Sequence, residues 1–206
     1  MKTILIHGSE HKAKSWDKMI SYMENKKDIL NPDLSTILNG KDASYNNLYS
    51  QFVEYCNKSD GKINLCGLSL GGILALNYTL DFPEKVNSLI LIGTPYKVPK
   101  VMFCIQNIIF KFLPKSLFES MAFNKKDTFI LGDSMKNLDF SSKVQNIECK
   151  TLIICGKKDK ANSKSSYYLS ENIKNSQLKI MNNTGHIVNE ESPEELAIVI
   201  NNFVKD

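Results

Sequence analysis

This 206-residue sequence contains no apolar run approaching the roughly 20 residues that cross a bilayer. After Met1-Lys2 only Thr3-Ile4-Leu5-Ile6 precede His7-Gly8, a run too short for a secretory signal. Internal repeats, low-complexity tracts and linker-like segments are also missing. Cysteine is scarce and unpatterned. The five thiols (Cys56, Cys66, Cys104, Cys149 and Cys155) form no C-x-x-C or cysteine–histidine spacing, so neither a zinc site nor a disulfide framework is indicated. Cys66 and Cys155 end apolar runs and read as buried strand residues. A reducing, cytoplasmic setting with no metal and no other cofactor is the expectation. No charge sign dominates: 26 basic and 22 acidic residues give a net charge of +4. Basic clusters are no longer than Lys157-Lys158-Asp159-Lys160, so the lysines read as solvated surface and nucleic acid is not an expected partner.

What is present is enough apolar content, 42%, to bury one good core, and a single domain is expected. Short apolar runs alternate with helical periodicity. Strands are predicted at 3–6, 29–34, 62–66, 86–92, 151–155 and 178–181, with Pro32 placing the second at an edge. Helices are predicted around 15–25, 47–57, 73–80, 163–174 and 193–204, the last opened by Pro193. Strands that are apolar throughout, separated by helices, indicate a parallel sheet covered on both faces. Sites in such sheets form at the C-terminal strand ends.

One stretch carries chemistry. Gly67-Leu68-Ser69-Leu70-Gly71 lies between an apolar run and a helical pattern. G-x-S-x-G arises by composition alone in roughly one chain in fifteen of this length, so the pattern means little without its strand–turn–helix setting. In that setting it is a nucleophile elbow: the serine takes a strained conformation at the tip of a tight turn, and glycines allow strand and helix to approach. A serine nucleophile needs a base, and the base an orienting carboxylate. Of three histidines, His7 and His11 precede the elbow, and His186 follows the last predicted strand. Asp159 follows the 151–155 strand at the same sheet edge, and Asp139 is the alternative acid. The Leu70 N–H, next to the nucleophile, and the Ser9 N–H, in the loop after the first strand, are candidate oxyanion donors. His7 is expected to bond loop backbone.

These pieces resemble the α/β-hydrolase superfamily in its small, single-domain esterase-like branch. They are His7-Gly8-Ser9 with Trp16, Pro32-Asp33-Leu34, the elbow with Gly72, Gly93-Thr94-Pro95, Gly156 through Asp159, and Thr184-Gly185-His186 followed by Glu190 through Glu195. The order is the family's: Ser69, then Asp159, then His186. The resemblance implies an α/β fold with about six parallel strands and helices on both faces. With the first predicted strand taken as the oxyanion strand, the family's opening antiparallel strand pair is not expected. It also implies a core of residues 1–95 and 146–206 and a small helical cap at 96–145. In the cap, apolar residues from Val98 to Phe112 recur at helical spacing, and Pro114 opens a second predicted helix with Leu117, Phe118, Met121 and Ala122. Candidate pocket walls are Thr94, Met102, Phe103, Phe110 and Phe112.

The activity so implied is hydrolysis of a small carboxylic ester or related acyl compound through an acyl-enzyme, as in carboxylesterases. Acyl transfer, carbon–carbon bond hydrolysis and perhydrolysis use the same residues. A binding module without catalysis is the reading from another class.

Overall fold

The computed structural model describes residues 1–98 and 113–205. In chain order its strands are β1 (Thr3–Ile6), β2 (Ile29–Leu30), β3 (Ile63–Leu68), β4 (Val86–Ile92), β5 (Lys150–Gly156) and β6 (Ser176–Met181). The helices are α1 (Asp17–Ser21), α2 (Leu34–Ile37), α3 (Tyr45–Cys56), α4 (Leu70–Asp81), α5 (Lys125–Met135), α6 (Ser163–Asn172), α7 (Val188–Glu191) and α8 (Pro193–Lys205). The strands form one sheet in the order β2-β1-β3-β4-β5-β6, and every pairing is parallel.

The pleat explains why the central strands are largely apolar. Successive side chains point to opposite faces. Ile4, Ile6, Leu89, Leu91 and Ile153 join one buried cluster with residues of α3 and α4. Their neighbours Leu5, Ile90, Ile92, Leu152 and Ile154 join the other, with Trp16, Met19 of α1 and Leu196 and Ile200 of α8. Both faces are therefore core.

Several expectations change. The strand expected over 29–34 pairs only at Ile29 and Leu30. Beyond them Pro32 lacks an N–H for the ladder, and the Asp33 side chain accepts from Ser35 N–H to cap α2. The chain thus turns out of the sheet. The helix expected around 15–25 is a 3₁₀ turn, Ala13–Trp16, leading into the short α1. It still buries Trp16, Met19 and Met23 as the spacing requires.

In the insertion, Val98 is buried, and the predicted helix beyond it lies outside the described residues. The helix expected after Pro114 is a 3₁₀ turn, Lys115–Glu119, that buries Phe118 and leaves Leu117 exposed. The sequence reading placed no helix at α5. Asn124 caps it by accepting from Asp127 N–H, and Leu131 and Met135 are buried. Ser134 ties it to α3, its Oγ accepting at 2.8 Å from the Tyr45 N–H that opens that helix.

Candidate active site

Ser69 stands between β3 and α4 with φ 53° and ψ −112°, a sparsely populated conformation that costs of order 1–3 kcal/mol. Several constraints hold it there. Ser69 N–H donates to Ile92 O at 2.9 Å, and Ser69 O accepts from Ile73 N–H at 3.0 Å, within the first turn of α4. A side chain at Gly67 would put its Cβ 2.3 Å from the Gly71 carbonyl carbon, so only glycine permits this approach of strand and helix.

His186 and Asp159 come from the loops after β6 and β5. His186 Nδ1 lies 2.7 Å from Asp159 Oδ2. Asp159 is 5% exposed. Burial alone would raise its carboxyl, but hydrogen bonds from His186 and Asn162 outweigh this and hold the pKa below the ordinary 3.8. The Asp159 hydrogen bond raises His186 above its ordinary 6.5 against the opposing effect of burial, and the charges of Asp159, Glu10 and Glu191 add to the rise. An ionised Asp159 fixes the Nδ1–H tautomer, which leaves Nε2 with the basic lone pair.

The surroundings hold this pair in place. Asn162 donates from its backbone N–H and its Nδ2 to Asp159, at 3.0–3.1 Å. The Glu191 carboxylate accepts from Gly185 N–H at 2.7 Å and from Ile187 N–H at 3.3 Å, bracing the histidine loop on both sides. Gly93 has φ 51°, and a Cβ there would lie 2.8 Å from His186 Nδ1. Sequence reasoning missed Asn162, Glu191 and Gly93 in these roles. Asn162 was findable, since a side chain three residues after a loop aspartate can close an Asx-type turn.

Asp139 belongs elsewhere. It pairs with Lys97 at 2.8 Å and accepts from Ser141, and these bonds bring its pKa down to about 2. His7 is fully buried. Its Nε2 accepts from Leu34 N–H at 2.9 Å, so the proton sits on Nδ1 and is donated to Gly8 O at 2.8 Å. Burial lowers its pKa despite that bond. This imidazole is a neutral strut that shapes the turn after β1.

Ser9, Ser69, Leu70, Asp159 and His186 line one cavity of about 380 Å³. Among the described residues, neither the Ser9 nor the Leu70 N–H has an acceptor. Both residues line the cavity, and the Leu70 N–H lies at the N-terminus of α4, where the dipole favours negative charge. The Ser9 carbonyl accepts from Ala122 N–H at 3.3 Å, which ties this loop to the insertion. The apolar wall is formed by Ile73 of α4, Met121 and Phe123, and Leu131 and Met135 of α5. Of the pocket residues expected from sequence, Thr94 is not in this wall. It is buried, its hydroxyl donates to Ile92 O at 3.2 Å, and it packs where a side chain at Gly72 would stand. Its neighbour Pro95 reaches the cavity instead. Met102, Phe103, Phe110 and Phe112 lie outside the described residues. Among the described residues no group of side chains could hold a metal ion, and no helix is long and apolar enough to cross a membrane.

Solved structures share this fold along the whole chain, and a known protein matches part of the sequence. Pimeloyl-[acyl-carrier protein] methyl ester esterase of Nitrosomonas europaea is 24% identical over 91 residues, 44% of this chain and 36% of that protein. The match therefore spans about a third of that relative's length. A thermophilic esterase from Thermogutta terrifontis, solved with malate bound, superposes with a TM-score of 0.82 at 18% identity, covering 100% of this chain and 89% of that one. The enol-lactonase from Burkholderia xenovorans LB400 gives 0.81 at 13% identity, covering 99% and 91%. At these identities the two structures speak for the fold. The sequence model of the alpha/beta hydrolase fold matches residues 4–113, more than half of the chain. With the parallel sheet and the elbow already in view, the protein belongs to the alpha/beta-hydrolase family.

Proposed function

We propose that this protein is a serine hydrolase that cleaves carboxylic esters with small, uncharged acyl groups through an acyl-enzyme. The observation that carries the reading is the 2.7 Å contact between His186 and a buried Asp159, beside a cavity that Ser69 enters from a strained turn. In this reading Ser69 Oγ attacks the carbonyl carbon as His186 Nε2 takes the hydroxyl proton. The oxyanion accepts from Ser9 and Leu70 N–H. Collapse breaks the ester C–O bond, and the proton passes from His186 to the departing alcohol. Water then repeats the sequence on the acyl-enzyme and releases the carboxylic acid. Asp159 stays ionised throughout and stabilises the imidazolium.

The acyl preference follows from the wall. Ile73, Met121, Phe123, Leu131 and Met135 offer an acyl carboxylate no partner, so such a group would lose its hydration uncompensated. Each buried methylene is worth about 0.8 kcal/mol. In an ester series from acetate to palmitate, kcat/KM rises severalfold per carbon and levels off at medium length, where the cavity is full. Leu131→Ala moves that maximum to longer chains. A profile that is flat in the wild type, or unmoved by the truncation, contradicts this reading of the wall.

A further inference from the structure

The cavity wall carries ionisable as well as apolar residues. The ionisable residues in its wall, among the described residues, are Glu10, His11, Asp159 and His186. No lysine lines it there, although the chain carries 26 basic residues and no arginine. Asp159 is committed to His186 and Asn162. Glu10 is different: it is exposed at the cavity mouth, directly after the Ser9 oxyanion donor, and has no hydrogen-bond or ion-pair partner among the described residues. Its loop is also held in place. His11 N–H donates to Gly8 O at 3.3 Å, and Lys12 Nζ donates to Glu119 O at 2.8 Å across to the insertion.

We infer that Glu10 is a specificity-determining residue for the leaving group, favouring esters whose alcohol portion carries a positive charge. The inference rests on the hydrolase reading above. The departing alcohol takes its proton from His186, so it must lie beside that imidazole. The Glu10 charge is felt at His186, where it helps to hold the proton. The acyl side, lined by Leu131 and Met135, lies against α5. A carboxylate beside the departing group attracts a cationic alcohol and repels an anionic one. At an exposed position the effect is modest and falls with salt.

The test compares acetylcholine, the acetate ester of choline, with 3,3-dimethylbutyl acetate, which has the same shape without the charge, each rate divided by its alkaline hydrolysis rate. The wild-type protein should prefer the cationic ester in kcat/KM by roughly five- to twentyfold at low salt, with the preference shrinking at 0.5 M salt (about three times the physiological ionic strength). Glu10→Gln should bring the ratio close to one, and Glu10→Lys should invert it, both while still cleaving the neutral ester. A second readout is the acid limb of kcat/KM for the neutral ester. The charged groups that raise His186 are Asp159, Glu10 and, from behind its loop, Glu191. Removing the Glu10 charge should move the limb to lower pH, whereas a merely structural role would leave it in place. Turnover of both esters with a ratio near one in the wild type, or a ratio unchanged in both variants, overturns the role of Glu10 alone. Absence of any ester turnover overturns the hydrolase reading and this inference with it.

Discussion

At the N-terminal ends of β1, β3 and β4, Thr3, Asn64 and Ser88 are buried and satisfy one another. Asn64 Nδ2 donates to Thr3 Oγ1 at 3.3 Å, while Ser88 Oγ and Asn87 Nδ2 each donate to Asn64 Oδ1 at 2.8 Å. At the C-terminal ends of the same strands, polar groups are aimed into a cavity. The Ser9 and Leu70 N–H groups have no acceptor among the described residues, and Ser69 is held at φ 53°. Both ends are polar and lie within one sheet, yet one closes its hydrogen bonds and the other leaves donors exposed and a serine strained. In the proposed reading the Ser9 and Leu70 N–H groups are kept for a developing charge and are therefore left without an acceptor among the described residues, whereas the paired end closes its hydrogen bonds.

Substitutions at the two ends should separate stability from activity. The largest effect is expected at the open end. Ser69→Ala and His186→Ala should each lower kcat/KM for a good ester by on the order of 10⁴–10⁶, with circular dichroism and Tm close to wild type. The double variant should be no worse than either single one, because the two residues act as a unit. Asp159→Asn should follow with a loss of roughly 10³–10⁴, through the wrong tautomer and an unsupported imidazolium. Asp139→Asn, which breaks only the surface pair with Lys97, should change the rate little. A crippling Asp139→Asn beside a mild Asp159→Asn would assign the acid to the insertion.

The closed end should respond in the opposite sense. Asn64→Ala leaves the Thr3 and Ser88 hydroxyls buried without their partner, at a cost of about 1–3 kcal/mol in urea unfolding. Its kcat at saturating ester should stay near wild type. If Asn64→Ala instead impairs kcat at unchanged stability, the division between the two ends fails.

Much of this organisation was legible in the sequence, for identifiable reasons. Parallel strands buried on both faces are largely apolar, and Val86–Ile92, polar only at Asn87 and Ser88, has the same bounds in sequence and structure. The elbow announces itself because only glycines fit around Ser69. The candidate acid and base could be proposed from order alone, since loops after β5 and β6 reach the same sheet edge as Ser69. The insertion was harder to read. Lys125–Met135 contains Gly132, Asp133 and Ser134, poor helix formers in a helix interior, and its one clear signal is the Asn124–Asp127 cap. The helix forms because Leu131 and Met135 bury against the domain, a tertiary contact that local periodicity does not encode. Gly93 was missed for a related reason, since it meets His186 only once two loops come together; the contacts of Asn162 and Glu191 are local in sequence.

The claim that the open end holds an activated nucleophile is tested most directly by a fluorophosphonate probe with intact-mass and peptide mapping. The wild-type protein should take up one adduct, mapped to Ser69. Labelling should be absent in Ser69→Ala and strongly slowed in His186→Ala, while Asn64→Ala labels at the wild-type rate. An unlabelled wild-type protein, or an adduct that persists in Ser69→Ala, would contradict the account.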